Sequence, residues 1–441
     1  MSRQNKSAYH PLYEKIKTKR ARVGIIGMGY VGLPLAQAFA ENGLTVTGID
    51  LDASKIRSIN RGRSYIGDVP SADLSALVKK GLLLATTDFQ VLRKMDAVII
   101  CVPTPLNRSR DPDMTYIMSA ANAIAKHLRR GQLIILESTT YPGTTDEVIL
   151  PLFEKSGLKA GRDFFLCFSP ERVDPGNEKF KTQDIPKVVG GITSSCGDLG
   201  ALLYGHVTPQ VVKVKSARNA EMAKLLENTF RIVNIGLINE LAMAAKNLNV
   251  DIWEVIDAAK TKPFGFMPFY PGPGIGGHCI GIDPLYLSWK ARIHGTDLHF
   301  IELARQINSD MPNHVVSQVV FTLNQKLHKA ISKSRILVLG VAYKRDVSDF
   351  RESPSLAIIE KLKQLGASVQ YHDPFVPSID HEGVCLRSVP LTQHAVRGSD
   401  LVLIATDHSC IDYAKIVRQA RVVFDTRNVL KRVAAKNIVR L

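Results

Sequence analysis

The sequence predicts an α/β protein with two doubly wound domains joined by a long central helical segment. Short apolar runs of strand length alternate with amphipathic helical stretches over residues 1–212 and again over residues 330–441. Such alternation is typical of parallel sheets covered by helices. Between them, residues 213–329 contain a long helical pattern rich in Ala, Leu, Glu and Lys. A chain of 441 residues is too long for one ordinary core, so we expect three structural parts.

The N-terminal region begins, after a polar and lysine-rich leader, with a strand, a glycine-rich turn, a helix and a second strand. Arg22–Gly27 is a short apolar run, and residues 31–42 have the pattern of a helix that ends at Gly43. Thr45–Ile49 is the second strand, and it leads into Asp50. This order predicts a Rossmann-like domain. Two further runs of strand length are Ala97–Val102 and Leu133–Glu137.

The turn after the first strand, Gly27-Met-Gly-Tyr-Val-Gly32, has the GxGxxG spacing of a dinucleotide site. The first glycine allows a tight turn, the second lets a diphosphate approach the backbone, and the third lets helix and strand pack closely. Asp50 is expected to bind the ribose and to repel a 2′-phosphate, which favours NAD over NADP. An acidic turn residue, and a solvated lysine at Lys55, are the ordinary alternatives. The predicted cofactor-binding residues are Gly27, Gly29, Tyr30, Val31, Gly32, Asp50, Lys55, Thr104 and Thr139.

The central segment begins with a helix predicted over about residues 217–248, and Asp251 is expected to cap the next helix. A Gly/Pro-rich stretch at 263–281 follows, and helical sequence runs from residue 284 to about 329. The C-terminal region then returns to alternating strands and helices, with Ser353 as the N-cap of a helix that begins with proline. The strands expected there are Arg335–Gly340, Ala367–Tyr371, Leu401–Ala405 and Val422–Phe424.

The composition argues against several classes of function. The net charge is +16, but Lys and Arg are spread along the chain without a zinc-finger or RNP pattern, so nucleic acid is not an expected partner. No apolar run approaches the roughly 20 residues that span a bilayer, and the leader lacks the apolar core of a signal peptide. We therefore expect a cytoplasmic protein without a membrane partner. The six cysteines are scattered and suggest neither a disulfide framework nor a metal site; Cys101 and Cys167, in apolar runs, are expected to be buried and inert.

The most informative stretch is the glycine-rich loop from Pro271 to Pro284, with the sequence PGPGIGGHCIGIDP. Its glycines let backbone NH groups approach an anion or substrate closely. Cys279 lies at the end of this run and just before a helix start, which is typical of a nucleophilic thiol with a lowered pKa. Asp283 is explained equally well as the N-cap of that helix, as a catalytic group, or as both. His278 is a candidate base, but a side chain that points away from the site is the favoured alternative.

Lys224 and Asn228 lie four residues apart on the long central helix and therefore share one face. A lysine and an asparagine that converge on one point can stabilise a developing oxyanion in a dry cleft. Taken alone, a solvated helix face would explain the pair better. The cysteine loop favours the catalytic interpretation.

Together these motifs resemble those of the nucleotide-sugar 6-dehydrogenases, the UDP-glucose dehydrogenase superfamily. The family has an N-terminal NAD-binding domain, a central helical dimerisation segment and a C-terminal UDP-binding domain, which here would be residues 1–212, 213–329 and 330–441. The matching motifs follow one another over nearly the whole chain: Gly27–Gly32, Glu137-Ser-Thr139, Ser169-Pro-Glu-Arg172, Lys224 with Asn228, Gly276-Gly-His-Cys279 with Asp283, and Lys344 with Asp349-Phe-Arg-Glu-Ser-Pro354.

The resemblance implies that the C6 hydroxymethyl group of a UDP-sugar is oxidised to a carboxylate with two NAD⁺, through a thiohemiacetal and a thioester on Cys279. Lys224, Asn228 and Asp283 would organise the alkoxide and a water. Glu171 would assist thioester hydrolysis, and Thr139 would position water and nicotinamide. Arg351 would lie near the cofactor. The implied substrate-binding residues are Glu171, Arg172, Lys224, Asn228, Tyr270, Gly274, Gly276, Lys344 and Arg427.

Residues 261–274 look like the UDP-N-acetylglucosamine 6-dehydrogenase branch of this family. UDP-glucose enzymes typically carry a lysine where Tyr270 falls, which disfavours UDP-glucose here. We therefore expect UDP-N-acetylglucosamine as the substrate, in the synthesis of a surface-polysaccharide precursor, with UDP-glucose, UDP-GalNAc and UDP-ManNAc as alternatives. The resemblance also implies a homodimer formed through the central helix.

Two hypotheses from other functional classes compete with the UDP-sugar 6-dehydrogenase hypothesis. A one-step 3-hydroxyacid dehydrogenase also uses a helical lysine and asparagine, but it has no catalytic thiol and needs no second α/β domain. A non-catalytic nucleotide-binding regulator would have no need of a reactive thiol. Cys279 and the segment 330–441 therefore disfavour both.

Overall fold

The structure, a computed structural model, describes residues 7–67, 69–107, 109–172, 184–277, 279–381 and 384–441. The chain divides into two compact units. The first contains Met1–Glu227 with Leu285–His294, and the second contains Asn228–Pro284 with Gly295–Leu441. Within the described ranges, no helix has both the length and the apolar character needed to cross a membrane.

The first unit is built on a sheet that has eight strands within the described residues, with helices on its faces. Its strands are β1 (Arg22–Ile26), β2 (Thr45–Ile49), β3 (Leu83–Thr86), β4 (Ala97–Ile100), β5 (Leu133–Leu136), β6 (Phe165–Phe168), β7 (Lys187–Gly191) and β8 (Val211–Val214). Its helices are α1 (Tyr9–Lys17), α2 (Gly32–Glu41), α3 (Ala53–Asn60), α4 (Ser71–Lys79), α5 (Thr115–His127), α6 (Leu150–Glu154) and α7 (Ser194–Tyr204), with a 3-10 turn at Phe89–Lys94 and a π-helical turn at Thr144–Ile149.

The strand order of this sheet is β3-β2-β1-β4-β5-β6-β7-β8. All neighbours are parallel except β6 and β7, which pair antiparallel through Cys167 with Gly191 and Phe168 with Gly190. The prediction of a parallel sheet therefore holds from β3 to β6, and the sheet reverses direction beyond it. The chain moves from β1 to β2 on one side and returns to β4 on the other, which creates a crevice at the carboxyl ends of β1 and β4.

The polar leader contains a helix that the sequence analysis did not assign. Helix α1 buries Leu12 and Ile16 in the first core, which also contains residues of β1 and α7. On its exposed side, the Lys15 ammonium pairs with Asp96 at 2.8 Å. Only two apolar residues of α1 are buried. The amphipathic pattern of this lysine-rich segment is therefore weak, which explains why the helix was not predicted.

The second unit contains a sheet with five strands and a two-stranded hairpin within the described residues. Its strands are β9 (Arg335–Leu339), β10 (Ser368–His372), β11 (Ser378–His381), β12 (Val384–Arg387), β13 (Leu401–Ile404), β14 (Val423–Asp425) and β15 (Ile438–Arg440). Its helices are α9 (Ile252–Ala259), α11 (His299–Leu327), α12 (Pro354–Gln364), α13 (Gln393–Gly398) and α14 (Tyr413–Gln419), with a 3-10 turn at Ile331–Lys333. Two helices have residues in both units, α8 (Ala217–Asn247) and α10 (Asp283–Ile293).

The second sheet is parallel throughout, in the order β10-β9-β13-β14-β15. The chain adds β10 on one side of β9 and β13 on the other, so the turn after β9 lies at a second crevice. The predicted caps are confirmed, because Asp251 accepts from the NH groups of Trp253 and Glu254, and Ser353 accepts from that of Ser355. The predicted continuous helix from 284 to 329 is wrong: α10 and α11 are separated by a turn at Gly295, where φ is +77°.

Candidate functional site

The turn between β1 and α2 is packed so that glycine is required at two positions. Gly27 has φ +94°, and a Cβ there would lie 2.4 Å from the carbonyl oxygen of Cys101. A Cβ on Gly32 would lie 1.9 Å from the carbonyl oxygen of Gly27. At Gly29, by contrast, a Cβ would meet no protein atom within 4 Å. The open side of the turn can therefore accept a diphosphate beside the N-terminus of α2, as the GxGxxG spacing predicts.

Asp50 directly follows β2 and holds this turn in place. Its carboxylate accepts hydrogen bonds from the NH groups of Met28 at 2.8 Å and Asp52 at 2.9 Å, and the Lys55 ammonium lies 3.4 Å away. Tyr65, which no sequence motif indicated, also contacts this turn, because its hydroxyl donates to the Met28 carbonyl oxygen at 2.5 Å. This tyrosine comes from a loop far along the chain, so no local pattern signals the contact.

Several predicted residues share the carboxyl edge of the first sheet. Thr104 follows β4 and is buried, and Thr139 follows β5 and is half-buried. Between them, the Ser138 hydroxyl accepts from the NH of Val102 and donates to its carbonyl oxygen, at 2.9 and 2.8 Å, so the two loops are fastened together. The remaining predicted cofactor residues of the turn are the exposed Tyr30 and the half-buried Val31, which precedes α2.

Glu171 and Arg172 follow β6 at the same edge of the sheet. One Glu171 oxygen accepts from the Lys187 ammonium at 2.9 Å, and the other accepts from the NH of Arg172 at 2.7 Å. The Arg172 guanidinium pairs with Glu227 at 2.6 Å and donates to the carbonyl oxygen of Pro186 at 2.7 Å. Arg172 thus contacts α8 and the residue before β7 in this structure, and its predicted contact with substrate stays a prediction.

Beneath Glu171 lies a buried polar cluster that the sequence analysis did not recognise. Lys187, the first residue of β7, pairs with both Glu137 and Glu171, and Glu137 also accepts from the Tyr204 hydroxyl at 2.5 Å. Burial, reinforced by the Glu171 carboxylate, raises the pKa of Glu137 to about 7 although Lys187 acts in the opposite direction. The only sequence signals are a glutamate at the end of one apolar strand and a lysine at the start of another.

Helix α8 carries Lys224 in the first unit and Asn228 in the second. Near the start of this helix, the buried Glu221 carboxylate accepts from the NH groups of Gly143 and Thr145 at 2.6 and 2.9 Å. These bonds fix the helix against the π-helical turn. Lys224, one turn later, is also buried.

In the second unit, Cys279, Asp283 and Asn228 are brought together. The Asn228 amide donates to the Asp283 carboxylate at 2.5 Å, and the NH of Asp283 donates to the carbonyl oxygen of Cys279 at 2.9 Å. Asn228 and Asp283 are buried, whereas Cys279 is exposed. A thiol that lies one turn before an oriented carboxylate, at the start of α10, is suited to nucleophilic attack. His278 lies outside the described residues.

The glycines of the loop before Cys279 allow it to pack tightly on the turn after β9. A Cβ on Gly276 would lie 2.7 Å from the Cβ of Tyr343, and a Cβ on Gly274 would lie 3.0 Å from Pro354. The NH of Gly277 donates to the carbonyl oxygen of Arg351 at 3.4 Å. Within the second unit, the cysteine loop is therefore attached to the segment that carries Lys344 and Arg351.

The remaining predicted residues of the second unit have different surroundings. Lys344 is half-buried in the turn after β9, and the exposed Arg351 binds the Asp349 carboxylate through two nitrogens, the closest contact being 2.6 Å. Arg427 donates from Nε to the carbonyl oxygen of Ala405 at 2.9 Å. Tyr270 is 45% exposed and stacks on Trp253, with ring centroids 6.0 Å apart. Their predicted ligand contacts stay predictions.

The turn after β9 is supported by a second group that the sequence analysis missed. Asp373, which follows β10, accepts from the NH groups of Val341 and Ala342 at 2.7 and 3.0 Å. It also accepts from Nε2 of the buried His408 at 3.0 Å, while Nδ1 of that ring accepts from the NH of Asp346. Asp373 therefore holds its turn as Asp50 does in the first unit. Here, however, a histidine covers the carboxylate.

Comparison with known proteins finds models of one family along the chain. Residues 21–208 match the UDP-glucose/GDP-mannose dehydrogenase family, NAD binding domain. Residues 218–310 match the central domain of the same family, and residues 337–432 match its UDP binding domain.

Individual relatives match the chain over most of its length. UDP-N-acetyl-D-glucosamine 6-dehydrogenase of Pseudomonas aeruginosa is 37% identical over 397 residues, covering 89% of this chain and 91% of the relative. UDP-N-acetyl-D-mannosamine dehydrogenase of Pyrococcus horikoshii is 35% identical over 417 residues, covering 93% and 96%. A solved structure of UDP-D-ManNAc dehydrogenase from Pyrococcus horikoshii superposes with a TM-score of 0.85 at 33% identity, covering 95% of this chain and 98% of that one. This likeness confirms the predicted fold class.

Proposed function

The chain belongs to the UDP-glucose/GDP-mannose dehydrogenase family, and we propose that it oxidises the C6 hydroxymethyl group of UDP-N-acetylglucosamine to a carboxylate. Members of this family are NAD-dependent oxidoreductases, so the resemblance noted in the sequence and the choice of NAD are both confirmed. The single observation that carries the four-electron chemistry is the arrangement of Cys279, Asp283 and Asn228 at the start of α10.

The residues around the turn after β1 suit the cofactor. Gly29 leaves open space beside the N-terminus of α2, where the diphosphate is proposed to bind, and Asp50 after β2 is proposed to bind the adenosine ribose. Each bound NAD⁺ would accept one hydride from C6, so that a first NAD⁺ would allow oxidation to an aldehyde and a second NAD⁺ would allow oxidation of a thiohemiacetal to a thioester. All other chemistry falls to the side chains.

Cys279 is proposed as the nucleophile that retains the aldehyde. Its thiolate forms a C–S bond with C6 while the π bond of the aldehyde carbonyl breaks, and the oxygen that becomes negative takes up a proton. Lys224, Asn228 and Asp283 are proposed to stabilise that oxygen. Covalent capture prevents a reactive aldehyde from leaving or hydrating before the second oxidation.

Hydrolysis then releases the acid. Water attacks the thioester carbonyl carbon, the C–S bond breaks, and the thiolate of Cys279 is regenerated. Glu171 is proposed to accept the proton of that water, with Thr139 helping to hold the water in place. Support for this role comes from the position of Glu171 at the carboxyl edge of the first sheet, where its side chain remains partly exposed.

The choice of sugar rests on the relative from Pseudomonas aeruginosa and on the segment around Tyr270. Because relatives named for UDP-N-acetyl-D-mannosamine are nearly as similar, the test must compare substrates. Purified protein is given NAD⁺ and, in turn, UDP-GlcNAc, UDP-GalNAc, UDP-ManNAc and UDP-glucose, while NADH is counted and the product mass is determined.

Two NADH per UDP-GlcNAc, together with a product in which CH₂OH has become a carboxylate, support the proposal. Two NADH per molecule of another UDP-sugar support the proposed four-electron oxidation but show that the preferred substrate is that other sugar. One NADH per substrate molecule, with an aldehyde or ketone product, overturns the cysteine mechanism and points to a one-step dehydrogenase.

We further propose that the uronic acid product serves as a surface-polysaccharide precursor.

We also propose a homodimer formed through α8. Phe230, Leu237 and Leu241 lie on one face of this helix and are 45%, 51% and 45% exposed. Their spacing of seven and four residues is that of a helix–helix seam. Phe300 and Leu303 of α11 are further exposed apolar side chains of the same unit. A second copy of the chain is the partner whose surface matches such a seam by symmetry.

Sedimentation tests the dimer. Replacing Leu237 and Leu241 together by Glu should weaken self-association at least about tenfold, because each substitution buries an unpaired charge. The control is Leu365→Glu, at an equally exposed leucine next to α12. A monomeric wild-type protein, or equal effects of the two variants, contradicts the proposal.

A reducing compartment, the cytoplasm, is proposed as the place of action, because the nucleophile must persist as a thiolate. Cys279 is exposed and would be oxidised elsewhere. Cell fractionation with antibody detection tests this location, and recovery outside the cytoplasmic fraction contradicts it.

A further inference from the structure

A line of four polar side chains crosses the first core and ends at Glu171. It begins at Tyr204, the last residue of α7, continues through Glu137 after β5 and Lys187 in β7, and reaches Glu171 after β6. Tyr204, Glu137 and Lys187 are all buried, and only Glu171 is partly exposed, at the carboxyl edge of the sheet. The line therefore connects the interior of the domain to one carboxylate of the proposed site.

Stability alone is a poor explanation for this arrangement. An ammonium and a carboxylate lose their hydration when they are buried, and a well-packed apolar pair of the same volume often stabilises a protein as well or better. Moreover, one ammonium is shared by two carboxylates, so Glu137 and Glu171 compete for Lys187. Such competition makes the ionisation of one carboxylate depend on the other.

The charges of the cluster can be assigned from its surroundings. Glu137 is faced by Tyr204 from α7, by Lys187 from β7, by Glu171 from the loop after β6 and by the Cys101 thiol after β4. Burial raises the pKa values of Cys101 and Tyr204, and also that of Cys167 on β6, so these groups stay neutral. The charged members of the line are Glu137, Lys187 and Glu171, and beside Glu171 the Arg172 guanidinium is paired with Glu227.

We propose that Lys187 is a positioning residue for Glu171, and that the Glu137–Tyr204 pair on its other side sets how strongly Lys187 keeps the Glu171 carboxylate ionised. The inference rests on the proposed function, in which Glu171 accepts a proton from the hydrolytic water. When Glu137 is ionised it draws the ammonium away, and Glu171 becomes a stronger base. When Glu137 is protonated, Lys187 pairs with Glu171 alone, and Glu171 becomes a weaker base. Burial raises the pKa of Glu137 above its ordinary value while Lys187 acts in the opposite direction, so Glu137 and Glu171 titrate as a coupled pair around Lys187.

Two substitutions should move the pH dependence of hydrolysis in opposite directions. Glu137→Gln removes a negative charge and leaves Lys187 entirely to Glu171, so the acid limb should move down by about one pH unit. Lys187→Met removes the cation, so the same limb should move up by about one pH unit. Lys187→Arg keeps the positive charge and should therefore shift the acid limb least. Tyr204→Phe removes a hydrogen bond to ionised Glu137, so its shift should match that of Glu137→Gln in sign and be smaller.

The measurement is the decay rate of the Cys279 thioester. Full-length protein is mixed with NAD⁺ and the UDP-sugar that the wild-type protein oxidises, quenched with acid over a pH series, and analysed by intact mass. NADH formation before the thioester and the dissociation constant of the UDP-sugar are measured in parallel. Neither should change more than about twofold in Glu137→Gln, whereas a general loss of structure would alter both.

Each outcome decides between the claims. If wild-type protein oxidises no UDP-sugar, the proposed function fails and the inference fails with it. If wild-type protein forms and hydrolyses the thioester, but Glu137→Gln and Tyr204→Phe leave its pH profile in place, the inference alone is overturned. Lys187→Met and Glu137→Gln shifting the profile in the same direction overturns it as well. If Lys187→Met does not fold, Glu137→Gln and Tyr204→Phe suffice for the decision.

Discussion

The Asn228 amide donates a 2.5 Å hydrogen bond to the carboxylate of Asp283, which lies 55 residues further along the chain. Asn228 and Asp283 are only 4% and 2% exposed. A buried carboxylate needs such a donor to remain oriented. The bond ties the middle of α8 to the first residue of α10, directly beside the backbone of Cys279.

Removing this bond should impair chemistry more than binding. Asn228→Ala is expected to lower kcat about 100-fold, because the Asp283 carboxylate loses a donor that orients it and the developing oxyanion loses the amide. Steady-state kinetics with NAD⁺ and the UDP-sugar measure the change. The control is Asn122→Ala, in which an exposed helical asparagine loses only a bond to the Met118 carbonyl oxygen. An Asn228→Ala variant as active as the control contradicts the proposed role.

Replacing the thiol should separate binding from acid formation. Cys279→Ser is expected to bind the UDP-sugar normally and to lower kcat for acid formation at least about 1,000-fold, because a serine hydroxyl is a much weaker nucleophile than a thiolate. Calorimetry and product analysis check the two parts. Cys410→Ser, at another exposed cysteine, is the control. Acid formation at the wild-type rate in Cys279→Ser would rule out the thioester.

Neutralising Asp50 should weaken the preference for NAD. Asp50→Asn keeps some hydrogen bonding to the turn but lowers the repulsion of a 2′-phosphate. We expect KM for NAD⁺ to rise about tenfold, because this factor corresponds to the loss of roughly one charge-assisted hydrogen bond. We also expect activity with NADP⁺ to increase. The ratio of kcat/KM for the two cofactors is the measurement, and an unchanged ratio contradicts the assignment of Asp50.

Asp373 should make stability depend on pH. Burial opposes its ionisation, but His408 and the NH groups of Ala342 and Val341 outweigh burial and hold the pKa of Asp373 below its ordinary value. The carboxylate therefore stabilises the fold above the unfolded pKa, and this contribution is lost as pH falls through the folded pKa. Asp373→Asn should lower the free energy of unfolding by about 2 kcal/mol at neutral pH, and by less at about pH 3. Urea unfolding at both pH values checks this, and an equal loss at both contradicts it.

Much of the architecture could be predicted because its signals are local. The strand Thr45–Ile49 was predicted with the bounds observed, and so were the caps at Asp251 and Ser353, because strand patterns and cap side chains are set by residues within a few positions. Helix α1 and the reversal between β6 and β7 were missed. A strand's direction depends on which neighbour it meets in space, and α1 is held by a core formed from distant segments.

The sequence by itself determined the family, the cofactor turn and the candidate nucleophile, since a glycine spacing or a cysteine loop is written in consecutive residues. Only the tertiary structure brought Glu137, Lys187, Tyr204 and Glu171 into one line, and only it placed Asp373 under the turn after β9. Each of these groups joins strands or helices that are distant in the chain. Their partners are chosen by the requirement that buried polar atoms be satisfied, which only the folded chain defines.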